Sequence, residues 1–123
     1  MNRLQQAIAD LFDPHRTVDE ALALHVTPDF RQRTNGEWVD RAGFRMRIEK
    51  LRAEMEQVDV TVLDEQAQGE HYAERHVIDL RLRGGARIAM EVYVFARRDA
   101  QGRFRCIEEA TFPHGGPASG LVG

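Results

Sequence analysis

Three short glycine-bearing breaks divide the second half of the chain, and they restrict the fold more than any other feature. Residues 66–69 read Gln-Ala-Gln-Gly, then come Gly84-Gly85 and Asp99-Ala100-Gln101-Gly102. Between them lie residues 57–66, 70–83, 86–98 and 103–112, which are rich in Val, Ile, Tyr and Phe. β-Branched and aromatic side chains favour extended chain, and Gly-bearing breaks favour its reversal. Connections this short join antiparallel neighbours, because a parallel crossover needs about a dozen residues or more. The last half therefore reads as a meander of four long strands.

The first half reads differently. Leu4, Ile8, Leu11 and Phe12 share one helical face over residues 3–12, and Asp13-Pro14 ends that helix. Thr17-Val18-Asp19-Glu20 has the form of a capping box opening a second helix over 18–25. Phe30, Gln32 and Thr34 then alternate with arginines. Asn35-Gly36 signals a tight hairpin, with Glu37-Trp38-Val39 returning. Phe44, Ile48, Leu51 and Met55 mark a third helix over 41–56, with Asp40 placed to cap it. The charged residues between them, Arg47 included, read as its solvated face.

Three helices followed by a meander is an α+β order. The chain of 123 residues makes one domain, residues 1–114, with an irregular Gly/Pro-rich tail over 115–123. The net charge of −3 argues against nucleic acid as a partner, and the single cysteine excludes an internal disulfide or a cysteine zinc cage. No apolar run is long enough to span a membrane, and the N-terminus lacks the continuous apolar stretch of a signal peptide, so a cytoplasmic location is expected. His71 and His76 are an odd number apart on one strand and face opposite ways, so they do not share a metal. No metal and no organic cofactor are expected.

Charges make up 30% of the chain, and many fall within the strands. Hairpin register sorts them. If Arg83 opposes Ala86 across Gly84-Gly85, one face carries His76 beside Tyr93, Ile78 beside Glu91, and Glu74 beside Phe95. If Arg98 opposes Arg103 across the next turn, Phe104, Cys106 and Glu108 join that face. The other face carries Val77 with Val92, Arg75 with Val94, and Asp79 with Met90, then Ile107, Glu109 and Thr111. Both faces are half apolar, so both need cover. The helices cover one. A second copy of the chain is the candidate for the other, giving a homodimer through the sheet at Val77, Met90, Val92 and Val94.

On the helix-covered face His76, Tyr93 and Glu108 fall side by side, with Glu91 and Glu74 one step away. His is suited to acid–base work near neutral pH, Tyr to donating to a developing oxyanion, and a carboxylate to orienting the His. These residues are equally compatible with a hydrogen-bonded polar knot, and a one-residue slip in either hairpin separates them. His25 reads as a core-edge histidine and Cys106 as a buried, inert thiol.

Several segments resemble the NTF2-like (cystatin-like α+β) superfamily, in particular its SnoaL-like and ketosteroid-isomerase-like members. Leu22-Ala23-Leu24-His25-Val26-Thr27-Pro28-Asp29-Phe30 is similar to the end of that group's second helix and its entry into the first strand. Val94-Phe95-Ala96-Arg97-Arg98-Asp99 through Gly102-Arg103-Phe104 resembles its hairpin, with Ala100-Gln101 inserted, and Ile107-Glu108-Glu109 resembles its closing strand. The resemblance spans about residues 3–112. It implies helices packed on a curved, mainly antiparallel sheet that forms a cone around a cavity. It also implies a small apolar ligand there, with Trp38, Glu74, Ile78, Phe95 and Phe104 lining the pocket. Members include polyketide cyclases, ketosteroid isomerases, dehydratases, epoxide hydrolases and proteins without catalysis, so fold alone does not select an activity. The isomerases' Asp base after the first strand has no counterpart in Gln32, Arg33 and Thr34.

Two functions follow as expectations. One is a cofactor-independent acid/base enzyme of SnoaL-like type (isomerase, cyclase or dehydratase), with His76 as acid or base, Tyr93 as donor and Glu108 or Glu91 as the second carboxylate. The other is a non-catalytic module that binds a ligand or associates with a partner.

Overall fold

The first helix starts where Asn2 can cap it. The computed structural model describes residues 2–114, so the expected irregular tail over 115–123 lies outside the described residues. Helix α1 (Arg3–Leu11) opens on Asn2, whose side-chain oxygen accepts from the Gln5 amide at 2.8 Å. Helix α2 (Val18–His25) carries the full capping box: Thr17 accepts from the Glu20 amide, and the Glu20 carboxylate accepts from the Thr17 amide. Helix α3 (Arg41–Glu54) is capped by Asp40, which accepts from the Gly43 amide at 2.8 Å.

Between α2 and α3 stand strands β1 (Val26–Thr34) and β2 (Glu37–Asp40). Asn35 and Gly36 both have positive φ at their turn, the backbone a tight two-residue hairpin requires. After α3 come β3 (Met55–Gln68), β4 (His71–Leu82), β5 (Arg87–Arg98) and β6 (Phe104–Pro113). Together the six strands form one mixed sheet in the order β2-β1-β6-β5-β4-β3. Strands β3 to β6 are the antiparallel meander, and β1 closes against β6 in parallel.

The helices pack on one face, over a core that includes Leu22, Phe30, Phe44, Val94 and Phe104. Phe30 and Phe44 meet edge to face at 5.0 Å, tying β1 to α3. Arg52 of α3 reaches the end of α1: its guanidinium donates to the carbonyls of Leu11, Arg16 and Asp10. Those at Asp10 and Leu11 belong to the last turn of α1, where carbonyls lack helical partners.

The β4–β5 register differs by one residue from the expected one. Leu82, not Arg83, meets Ala86, so the loop holds three residues. The cause is tertiary. The Arg83 amide donates to the Glu54 carbonyl at the end of α3, and its side chain donates to the Ala53 carbonyl, which draws Arg83 off the ladder. His76 therefore opposes Val92, and Tyr93 opposes Arg75. At the next turn Arg98 opposes Phe104, and a bulge then places Arg97 opposite Cys106.

The two faces re-sort accordingly. Met90, Val92 and Val94, expected at a dimer interface, lie on the helix-covered face. Of that set only Val77 lies on the open face, as the strand alternation around buried Tyr72, Glu74 and His76 requires. Tyr93, Phe95, Glu91 and Glu108, expected beside His76, face the other way.

Candidate active site

A cavity of about 340 Å³ lies between the sheet and the three helices. Its wall is mostly Leu, Ile, Val, Phe and Met, interrupted by a few polar side chains. Its volume falls at the low end of ordinary small-ligand sites.

His76 projects into it from β4 and is buried. Its Nδ1 lies 2.6 Å from Glu74 Oε2. Glu74 is itself buried and also accepts from Asn2 Nδ2 at 2.7 Å and from the Tyr72 hydroxyl. Strand alternation puts Tyr72, Glu74 and His76 in a row, and the Asn2 that caps α1 ties the row to the helix layer. Burial alone would raise the Glu74 carboxyl, but the hydrogen bonds from His76, Tyr72 and Asn2 outweigh it and hold it below the usual carboxylate range. Burial and the two neighbouring carboxylates, Glu74 and Glu65, push the Tyr72 phenol the other way, so it stays protonated and donating. An ionised Glu74 keeps the proton on Nδ1. Nε2 is then the basic nitrogen; it has no hydrogen-bond partner among the described residues, and the ring that carries it lines the cavity.

A carboxyl also lines the cavity, that of Glu109. Its Oε1 accepts from Thr34 Oγ1 at 3.1 Å and from Gln32 Nε2 at 3.2 Å. The parallel pairing of β1 with β6 sets Thr34 opposite Glu109. Burial raises the Glu109 carboxyl above its ordinary value, only partly offset by Thr34, His76 and Arg47. The cavity thus holds a base with its lone pair exposed and a carboxyl biased towards its protonated form. Their strands are separated by β5, about 10 Å at the backbone.

A second buried His–carboxylate pair also borders the cavity but is closed. His25 Nε2 lies 2.6 Å from Asp10 Oδ2, and its Nδ1 accepts from Arg3 Nε at 3.2 Å. Both ring nitrogens are occupied, so His25 joins helices and offers the cavity no base.

Of the residues read as a site from the sequence, the structure brings together His76 and Glu74, with Ile78 and Phe104 also on the helix-covered side. It does not bring Tyr93, Glu108 or Glu91 to them. Tyr93 stacks edge to face on Phe112 across the open face, Glu91 stands on that face beside it, and Glu108 pairs with Arg33. Phe95 is 73% exposed there, so it does not line the pocket. Trp38 is 44% exposed on the edge strand β2, covered by the Arg31 guanidinium at 4.4 Å, and is absent from the cavity wall. Cys106 is half-buried on the open face, opposite Arg97 rather than Phe95, and burial raises its thiol.

Sequence reasoning missed Glu109, Gln32, Thr34 and Arg47. The alternation of Ile107, Glu109 and Thr111 already placed Glu109 with the apolar side of β6, and only the β4–β5 register hid that this was the face of His76. Among the described residues no three His, Cys, Asp or Glu side chains are grouped to hold a metal ion, and no helix is long and apolar enough to cross a membrane.

No protein-family model matches the sequence, and no curated protein is significantly similar to it. Solved structures do match. A proposed isomerase from Rhodopseudomonas palustris superposes with a TM-score of 0.74 at 10% identity, covering 100% of this chain and 98% of that one. An NTF2-like protein of unknown function from Exiguobacterium sp. 255-15 gives 0.67 at 16% identity, covering 94% and 100%. IdmH, a proposed polyketide cyclase from Streptomyces antibioticus, gives 0.65 at 20% identity, covering 86% and 89%. The chain has the NTF2-like fold, three helices packed on a six-stranded mixed sheet.

Proposed function

We propose that the protein binds a small, mostly apolar carbonyl compound in the cavity and moves a proton on it without a cofactor. The observation that carries this reading is His76: Glu74 occupies Nδ1, which leaves Nε2 as the free nitrogen of a ring that lines an apolar chamber together with Glu109. Nε2 takes a proton from the carbon next to the carbonyl, and the bond's electron pair moves to the carbonyl oxygen. Glu109 donates its proton to that oxygen, giving an enol. The return path gives the His76 proton back to carbon while the Glu109 carboxylate recovers its own from the enol. Delivery to a different carbon isomerises the substrate. A positioned base of this kind contributes about 10²–10⁴-fold. The resemblance to a proposed isomerase and a proposed polyketide cyclase is in line with such chemistry.

The test is proton–deuterium exchange at the α-carbon of cyclic ketones in D₂O, followed by NMR. Wild-type protein should exchange label faster than buffer, and His76→Ala should lose that acceleration while still melting cooperatively, at a lower temperature because buried Glu74 loses a hydrogen bond. Ketone binding without any exchange would favour the non-catalytic binding module. Exchange unaffected by His76→Ala would remove His76 from the mechanism.

We propose further that the open face of the sheet is where two copies of the chain meet. Tyr93, Phe95 and Phe112 form an exposed aromatic cluster there, Tyr93 and Phe112 at 5.5 Å. A depression of about 730 Å³ beside Phe95 and Cys106 adjoins it. Paired charges of both signs (Arg75 with Asp64, Arg97 with Glu70) lie on the strands and at one turn, which suits a surface that must complement itself about a two-fold axis. Four strands of about ten residues present on the order of 600 Å² before side-chain relief, near the ~800 Å² per partner of a standard interface. Light scattering at micromolar concentration should give twice the 14.1 kDa chain mass, and Phe95→Asp should give the single mass with folding intact. A monomeric wild-type protein would overturn this.

A further inference from the structure

The geometry points to a ligand that carries an acidic group: we infer that Arg47 is an anion anchor, and that the compound taken into the cavity is an apolar carboxylic acid. This inference rests on the cavity being a ligand site and names the class of ligand.

Arg47 stands on the inner side of α3 and lines the cavity beside Phe44 and Ile48. The two neighbours are buried core residues, and Arg47 is half-buried between them. Its contacts are weak for a guanidinium. Nη1 donates to Gln32 Oε1 at 3.3 Å and to Thr34 Oγ1 at 3.5 Å, both neutral oxygens. Among the described residues it forms no ion pair with any carboxylate, and unlike the exposed arginines in that position it lines an apolar cavity. Nε and Nη2 have no hydrogen-bond partner among those residues.

The nearest candidate counter-charge is Glu109. It is not in ion-pair contact with Arg47, and its hydrogen bonds go to Thr34 and Gln32. Burial also raises its carboxyl, which makes it a weaker counter-charge for Arg47. Across the cavity the negative charge of Glu74 is turned away, spent on His76, Tyr72 and Asn2. An apolar chamber is a costly place for an unpaired cation. A carboxylate supplies what is missing: two oxygens that match the fork left by Nε and Nη2, with Gln32 and Thr34 holding the far side of the guanidinium in place. A carboxylate on Arg47 directs the rest of the ligand along the apolar wall towards His76.

The test compares two probes of nearly equal shape, 2-naphthoate and methyl 2-naphthyl ketone, by calorimetry at pH 7. Wild-type protein should bind the carboxylate at least about tenfold more tightly than the ketone. Arg47→Gln should bring that ratio close to one, with a cooperative melting transition showing that the variant is folded. Arg47→Lys, which keeps charge but loses the fork, should recover part of the preference and serves if the glutamine variant does not fold. A wild-type protein that binds the ketone as well as the acid overturns the inference, as does a preference that survives Arg47→Gln. Either result leaves the cavity's role as a ligand site standing. Failure of both probes to bind at millimolar concentration would overturn that role as well.

Discussion

Glu74→Gln separates the charge of the buried row from its shape. The wild-type carboxylate accepts three hydrogen bonds with no solvent to replace them: from His76 Nδ1 at 2.6 Å, from Asn2 Nδ2 at 2.7 Å and from the Tyr72 hydroxyl. Bonds to an ionised partner are worth about 1.5–3 kcal/mol each, and neutral ones about 0.5–1.5. The glutamine oxygen can keep Tyr72 and Asn2 by sitting where Oε1 sat. Its NH₂ then faces Nδ1, so the histidine must give up the Nδ1 proton and carry it on Nε2. About 1 kcal/mol lost per bond sums to about 3 kcal/mol, or about 1.5 M in urea midpoint for a slope of about 2 kcal/mol/M.

The dependence on pH has a definite sign. Glu74 is depressed in the folded state, so its contribution is complete above the unfolded carboxyl pKa of about 4.3 and fades as pH falls through the lower folded value. The gap between wild type and variant should therefore be constant from about pH 6 to 8 as far as Glu74 is concerned, and narrow below about pH 4. Nitrogen-15 shifts of the His76 ring should report an Nδ1–H tautomer in wild type and an Nε2–H tautomer in the variant. Proton exchange on a bound ketone should fall by about 10²–10⁴-fold, because the cavity then faces a donor. An unchanged tautomer, or a stability gap that persists undiminished at pH 3, would refute the reasoning.

Three further outcomes follow from the same geometry. Arg52→Ala should lower stability by about 3 kcal/mol in urea titration, because three carbonyl oxygens around the end of α1 lose a charged donor, and Arg52→Lys should recover only part of it. Glu109 has the opposite linkage to Glu74: its carboxyl is raised on folding, so its ionisation penalises the fold as pH rises above about 4.5 through the raised value. Glu109→Gln should therefore gain melting temperature relative to wild type as pH rises across that window, and a parallel pair of Tm–pH curves would contradict it. Phe30→Ala should cost about 3–5 kcal/mol in chemical denaturation, since Phe30 is fully buried and packed edge to face on Phe44.

Local chemistry made much of the fold legible. Thr17 and Glu20 announce α2, Asp40 announces α3, and Asn35-Gly36 announces the first hairpin, because each device acts within a few residues. The chain of antiparallel neighbours from β3 to β6 was equally readable, since short connections admit no other arrangement. The site was legible only in part. His76 and Glu74 are two apart on one strand and share a face in any register, so they were found together. Their partners across the sheet were not, because a slip of one residue exchanges the faces of the neighbouring strand. Tyr93 and Glu108 join His76 only if Arg83 belongs to the β4–β5 ladder. Arg47 read as solvent-facing because nothing local says that β1 will run beside β6 and bring Gln32 and Thr34 under α3.

The sequence by itself determined the element order, the caps, the turns and the alternation within each strand, all of which depend on neighbours close along the chain. Only the tertiary structure decided which strand faces meet. Arg83 is held by the carbonyls of Ala53 and Glu54, about thirty residues away, and those two bonds shift β5 by one position. That shift turns Val92 and Val94 into the core and Tyr93 and Phe95 out of it, and leaves His76 opposite a cavity wall rather than a tyrosine. Register carries the chemistry here, because a period of two makes the smallest error in pairing the largest error in facing.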